Sequence, residues 1–320
     1  MASDRTRGVT LITVTLNTSI DRTVEVPRFA VGGHLKGRLA RLQPAGKGVN
    51  VSRCLDSLGV PSVATGFVGA GETALYRDSL AATRAEMRLV PIAGTTRSNT
   101  TILDPVLGTD THIREAGPTV RPEEVESLRA TLAALALPEA VAVFCGSLPP
   151  GVTADDVARL MAACRDAGAR VAADLNGPQL GVAVAAEALL IKPNVEELGE
   201  LVGRDLSGAG EAELLAAARP LCDRVGTVLL TRGREGAMAV RQADALACSV
   251  EVPRARNTVG CGDAFLAGYL AGLWRGVAAD ECLRLAVACG AANALTDAAG
   301  QIDPAQVREL ADRAELRRVG

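Results

Sequence analysis

Short apolar runs separated by helix-spaced segments recur along most of this 320-residue chain, and no other feature restricts its fold as much. Residues 9–16, 62–67, 140–145, 170–174, 188–191 and 227–231 are strand-like and apolar throughout rather than in alternation. Between them, residues 49–58, 154–167 and 211–222 carry helical spacing. A strand that is apolar on both faces must be covered on both faces. Helical crossovers supply that cover, so the pattern predicts a doubly wound, mostly parallel α/β sheet. Residues 23–42 and 100–113 differ, being short, β-branched and polar with no helix between strands, as expected of a small appended β-sheet acting as a lid or a dimer contact. Residues 261–316 have the spacing of consecutive helices. With no linker, repeat or low-complexity tract, the chain is expected to be a single domain over 1–320, with lid segments at roughly 22–42 and 99–114.

Composition narrows the partners. Aromatic residues are only 2%, too few for platforms that stack nucleic-acid bases, and the core must be built from Ala, Val and Leu. The formal net charge of -3 gives no field for a polyanion or a membrane surface, so an anionic substrate would need a local cationic pocket. No apolar run approaches the roughly 20 residues that cross a bilayer, and a cytoplasmic location is expected. The eight cysteines form no C-x-x-C pair and sit in apolar surroundings, as buried thiols do in a reducing compartment. With two histidines and no clustered ligands, a zinc site is not expected. Among 34 cationic residues only Lys36, Lys47 and Lys192 are lysine, and all three lie in or near the motifs below.

The segment Asn257-Thr258-Val259-Gly260-Cys261-Gly262-Asp263-Ala264-Phe265 carries the most chemistry. Two glycines one residue apart let backbone N–H groups converge, and the helix beginning there adds the positive end of its dipole. Such a nest suits the charge that builds on phosphoryl oxygens during transfer. Asp263 would project beside it, where it could accept the proton of an attacking hydroxyl. Read alone, Asp263 is first of all a helix cap, the commoner job of Asp in a first turn.

Its companions alter that reading. The segment resembles the D-T-x-G-A-G-D signature of the ribokinase-like, PfkB-type carbohydrate kinases, with Cys261 for Ala and Asn257 for the leading Asp. The resemblance implies Asp263 as catalytic base and Gly260, Cys261 and Gly262 as its anion hole. Cys261 is expected to be small filler whose thiol, at a helix N-terminus, is open to acidification and oxidation. Pro44-Ala45-Gly46-Lys47-Gly48-Val49-Asn50-Val51 is similar to the family's G-G-K-G-x-N element. There Gly46 and Gly48 would let the backbone approach a ligand while Lys47 offers a charge. Ala45 replaces the first Gly, a small change unless that residue needs a positive φ.

Leu16-Asn17-Thr18-Ser19-Ile20-Asp21 resembles the T-L-N-P-A-I-D opening of the 1-phosphofructokinase and tagatose-6-phosphate kinase branch. That resemblance implies that Asp21 holds sugar hydroxyls with Asn50 nearby; without it, Asn17 and Asp21 simply shape a turn. Thr95-Thr96-Arg97-Ser98-Asn99 resembles the branch's T-R-x-N element, which implies Arg97 on the substrate's existing phosphate and Asn99 beside it. Lys36, 14 residues before Asn50, stands where the branch often carries a further cation. Gly146-Ser147-Leu148-Pro149-Pro150-Gly151 resembles G-S-L-P-x-G and implies a Ser147 contact with the sugar or its phosphate. Asp174-Leu175-Asn176-Gly177 stands where the branch reads D-T-S-G.

On the nucleotide side, Lys192-Pro193-Asn194-Val195-Glu196-Glu197 contains the family's N-x-x-E element. It implies that Asn194 and Glu197 organise magnesium and phosphate, Glu197 through water, with Lys192 facing the phosphates. The same pair would form a capping box on a helix starting at Asn194. Thr231, Gly233 and Gly236 fall on the nucleotide loop, and Asn293 is expected to approach the adenine. The whole implies ATP- and Mg2+-dependent phosphorylation of a sugar phosphate. Fructose 1-phosphate is the first expectation, with tagatose 6-phosphate and fructose 6-phosphate behind it, and a homodimer through the lid is a further one. Two alternatives stay open: a catalytically inactive sugar-phosphate-binding regulator, and a kinase for an unphosphorylated sugar or nucleoside.

Overall fold

The structure, a computed structural model, describes residues 9–252, 255 and 258–320. Asn257, singled out above, lies outside the described residues. In chain order the strands are β1 (Leu11–Thr15), β2 (Ser19–Glu25), β3 (Arg38–Ala45), β4 (Ser62–Gly69), β5 (Ala85–Ile92), β6 (Arg97–Asp104) and β7 (Thr109–Arg114). They continue with β8 (Val141–Gly146), β9 (Arg170–Leu175), β10 (Leu190–Ile191), β11 (Thr227–Thr231), β12 (Ala237–Val240), β13 (Ala245–Ser249) and β14 (Glu315–Arg318). The helices are α1 (Lys47–Ser57), α2 (Thr73–Leu80), α3 (Pro122–Leu135), α4 (Ala154–Asp166) and α5 (Gln179–Ala185), followed by α6 (Val195–Val202), α7 (Glu211–Ala218), α8 (Cys261–Arg275), α9 (Ala279–Ala294) and α10 (Pro304–Arg313).

The large sheet runs β14-β13-β12-β11-β10-β9-β8-β1-β4-β5. From β11 to β5 every neighbour is parallel, and β12, β13 and β14 extend the edge antiparallel. Successive residues of one strand enter opposite layers. Ile12 and Val14 pack with α3 to α7, whereas Leu11 packs with α1, α8, α9 and α10. Both faces of the parallel strands are therefore dry, which is why their sequences read as unbroken apolar runs. The second sheet, β3-β2-β6-β7, follows directly from β1 and carries the two segments expected of a lid. It is half-exposed, with Leu39, Leu42, Leu103 and Ile113 open to solvent.

Three expectations need correction. The helix expected over 211–222 stops at Ala218 and tightens into a 3-10 turn over Arg219–Asp223, because Pro220 has no N–H to donate. The run of helices ends in β14, whose pairing with β13 no local pattern announces. Finally β5, β12 and β13 lie outside the expected strands; β12 and β13 are rich in Ala, and β5 mixes charged with apolar residues, so that sheet pairing sets their extended form. Among the described residues, no helix is long and apolar enough to cross a membrane. The cysteines are thiols, seven of them buried and Cys261 half-buried.

Candidate functional site

Parallel strands deliver side chains and loops to their C-terminal ends, and the candidate residues gather there beside the small sheet. Gly260 is the cap residue immediately before helix α8, and its φ of 85° is readily open only to glycine. A Cβ on Gly260 would also lie 2.8 Å from the Cα of Ala299. Asp263 is the third residue of this helix, yet its carboxylate caps no backbone amide among the described residues. It accepts instead a 2.9 Å hydrogen bond from Asn50 Nδ2. Only 6% of Asp263 is exposed. Burial pushes its carboxyl up to about 6, against the pull of Lys47, Lys192 and the Asn50 hydrogen bond, while Asp174 adds to the rise. A carboxyl at that value is ionised near neutral pH and still basic enough to take a proton.

The second carboxylate was missed as a centre. Asp174, at the end of β9, is 1% exposed and its Oδ1 receives both Lys47 Nζ at 3.1 Å and Lys192 Nζ at 3.3 Å. Burial opposes its charge, but the two ammoniums hold its carboxyl below the usual range. Burial likewise opposes the charge on Lys47, and Asp174, Asp263 and Glu197 outweigh it, so the ammonium is held above the ordinary lysine value. Lys192 also faces the glycine nest, since a Cβ on Gly262 would sit 3.4 Å from its Nζ. The sequence signal was present: Asp174 follows a buried run at the C-terminal end of a parallel strand, where a charge has no packing reason to be.

Lys47 also reaches Asn176 Oδ1 at 3.4 Å, and Asn176 Nδ2 donates to Glu197 Oε1 at 3.1 Å. Glu197 and Asn194 form the expected capping box at the start of α6, each side chain bonded to the other's backbone N–H. Asn194 bridges to Thr231. Gly233 is in open surroundings, as a ligand-facing glycine can be. Gly236 has another reason for its φ of 81°, because a Cβ there would collide with the backbone of Cys248 and Ser249. Among the described residues no group of three or more His, Cys, Asp or Glu could hold a metal by itself.

Toward the small sheet, Asp21 in β2 accepts hydrogen bonds from Ser19 Oγ at 2.9 Å and Asn99 Nδ2 at 3.0 Å. Arg97 donates to the carbonyls of Glu115 and Asn17, its Nε is buried without a partner, and burial lowers its pKa. It lines an open cleft of about 550 Å3 together with Gly94, Thr95, Glu115 and Gly117. Asn17 ties this region together, donating to the carbonyls of Ala116 and Leu148 and lying 3.5 Å from Ser147 Oγ. Orphaned buried polar atoms are costly and rare. Here Asn17 Oδ1, Asn50 Oδ1, Arg97 Nε, Asn99 Oδ1 and Asp174 Oδ2 are all orphaned within the candidate set, as expected where a polar ligand completes the bonding.

Two expectations about side chains, at Asn293 and Cys261, are corrected. A Cβ on Gly46 or Gly48 would meet strand β1, at Thr15 Cγ2 (2.6 Å) and Thr15 Oγ1 (2.5 Å) respectively. Lys36 is exposed between β2 and β3 and makes no hydrogen bond or ion pair among the described residues. Asn293 is fully buried and spends its amide on Val259 O at 3.0 Å and Gly300 N at 3.1 Å, which leaves none of it for an adenine. The Cys261 thiol is pushed up by burial, not acidified by the helix end. Ala45 has no positive φ, so the missing glycine costs nothing there.

A glycine nest flanked by a basic carboxylate on one side and paired ammoniums on the other serves phosphoryl transfer to a hydroxyl group. The chain belongs to the pfkB family of carbohydrate kinases, whose family model matches residues 10–305. It is 38% identical to a 1-phosphofructokinase of Rhodobacter capsulatus, over 87% of this chain and 88% of that protein. A tagatose-6-phosphate kinase of Staphylococcus epidermidis is 28% identical, over 96% of this chain and 99% of its own. Among solved structures, phosphofructokinase-2 of Escherichia coli in complex with potassium superposes with a TM-score of 0.90 at 25% identity, covering 95% of this chain and 98% of that one.

Proposed function

We propose that the protein transfers the γ-phosphate of ATP to a sugar phosphate, with fructose 1-phosphate giving fructose 1,6-bisphosphate as the first candidate. The relative at 38% identity is named 1-phosphofructokinase, which favours that sugar over tagatose 6-phosphate. The observation that carries the reading is Asp263, buried, raised to about 6 and hydrogen-bonded to Asn50 beside the glycine nest. A sugar hydroxyl placed against it would give up its proton as the oxygen attacks, and the amides of Gly260, Cys261 and Gly262 would receive the charge of the transferring group. Lys47 and Lys192, held on Asp174, would add positive charge on the same side. Mg2+, when bound with ATP, supplies neutralisation of the nucleotide phosphates.

Asp21, Asn99 and Ser147 would hold the sugar, and Arg97 with its orphaned Nε would hold the phosphate it already carries. Asn194, Thr231 and Gly233 would meet the nucleotide. The small sheet would act as a lid that keeps water from the γ-phosphate. Its exposed Leu39, Leu42 and Ile113 support pairing of two lids in a homodimer. The test is ADP release with fructose 1-phosphate, fructose 6-phosphate, tagatose 6-phosphate and the free sugars, for the wild type and Arg97→Ala. The reading requires turnover of a phosphorylated sugar and a KM for it raised about 100-fold in the variant. Turnover of free sugars alone, indifferent to Arg97, would establish the rival kinase; no turnover with intact ligand binding would establish the regulator.

A further inference from the structure

One loop of the structure touches both halves of the site, and nothing in the proposed chemistry uses it. Residues 296–300 follow α9 and run between the small sheet and the start of α8. On one side Arg41 donates to the carbonyl of Asp297 at 2.6 Å, and Gln43 Nε2 donates to that of Ala299 at 3.4 Å. Both residues lie in β3, two apart, and so project from one face of the small sheet. Gln43 is paired in register with Asp21, which is paired in turn with Asn99. The face that would hold the sugar is thus the face that grips the loop.

On its other side the loop backs the chemical centre. Ala299 packs so closely on Gly260 that a Cβ there would be 2.8 Å from its Cα, and Gly300 lies against Asn50, the partner of Asp263. Thr296 Oγ1 donates to the carbonyls of Asn293 and Ala298, and Asn293 ties Gly300 N to Val259 O. The loop is therefore held on both sides, by β3 through Arg41 and Gln43 and by Gly260 and Asn50, so that it links the small sheet to the chemical centre.

We propose that Arg41 and Gln43 are positioning residues that couple the seating of the small sheet to the geometry of the Gly260–Gly262 nest and the Asn50–Asp263 pair. Holding the sugar on Asp21 and Asn99 then bears on the nest through the same loop. This rests on the reading of the site as a sugar-phosphate kinase, but its mechanical part does not.

The experiment is made in two arms on the full chain, comparing wild type with Arg41→Ala/Gln43→Ala and with Arg41→Lys. In the unliganded protein, amide hydrogen exchange over residues 259–263 and 296–300 is expected to speed up about tenfold in the double variant. Arg41→Lys, which can still donate to the Asp297 carbonyl, should stay near wild type. With ATP and sugar phosphate, the double variant should lose about tenfold in kcat with a KM for the sugar changed by less than about twofold, again rescued by lysine. Unchanged exchange at 259–263 overturns the coupling whatever the substrate proves to be. Faster exchange with wild-type kcat, or a loss confined to KM, overturns its role in turnover. A wild type that turns over no sugar phosphate refutes the kinase reading alone and leaves the exchange arm to judge the coupling.

Discussion

The two glycine-rich turns, Gly46-Lys47-Gly48 and Gly260-Cys261-Gly262, look alike in sequence, and both start a helix from a glycine of positive φ. Their glycines have different reasons. At the first turn a Cβ on Gly48 would meet Thr15 Oγ1 at 2.5 Å, so the glycines let α1 seat on β1, while Lys47 between them reaches Asp174. At the second turn Gly260 is a packing and φ requirement, but a Cβ on Gly262 would meet only the flexible end of Lys192, with Nζ at 3.4 Å. A glycine motif therefore says that a backbone comes close to something. Only the structure says whether that something is protein or ligand.

The comparison can be broken in several ways. The largest effect is expected at Asp263. Asp263→Asn keeps a group that can bond Asn50 but removes the base, and kcat should fall about 1000-fold. The same change should raise Tm. The folded carboxyl sits near 6, above the ordinary 3.8, so the folded state holds the extra proton between those values and ionisation costs stability as pH rises. The gain in Tm should be full at pH 8 and vanish below about pH 4. A loss of Tm at pH 8 would contradict this burial account.

Asp174→Asn removes the carboxylate shared by two ammoniums, one of them 6% exposed. Breaking such a buried pair should cost about 3 kcal/mol in denaturant unfolding, besides the activity it takes away. A third variant pair separates the two turns directly. Gly48→Ala should destabilise by about 2 kcal/mol through overpacking against Thr15, with kcat in the surviving fold within about twofold of wild type. Gly262→Ala, at a helix position without positive φ, should cost less than about 1 kcal/mol but lower kcat about tenfold by crowding the nest. If both glycines behave alike, the distinction is wrong. The smallest effect is expected at Cys261. Its thiol is half-buried and raised, so Cys261→Ala should change kcat by less than about twofold and iodoacetamide should label the native protein slowly.

The sequence made the sheet legible because parallel strands buried on both faces have no choice but to be apolar, as 140–145 and 227–231 are. It hid β5 and β14, whose extended form depends on the neighbour rather than on their own residues. In the candidate site, motifs pointed to Asp263, Lys47 and Arg97, because each stands in a local pattern of glycines or polar residues. Asp174 was passed over because its meaning is non-local: it matters through Lys47, 127 residues away, and through Lys192. Asn293 erred the other way. A polar residue on a C-terminal helix suggested a ligand, whereas its amide serves two backbone groups that come near it only in the fold.

The central claim is that Asp263 takes the proton of the acceptor hydroxyl, and the pH dependence of kcat/KM tests it most directly. The base must be ionised, so activity should fall as pH drops through about 6, following one proton. The phosphate of the substrate titrates in the same range. The residual turnover of Asp263→Asn is therefore the reference, and the account predicts that the variant loses one protonation from the acid limb. A variant with the same acid limb and near-wild-type kcat would contradict it.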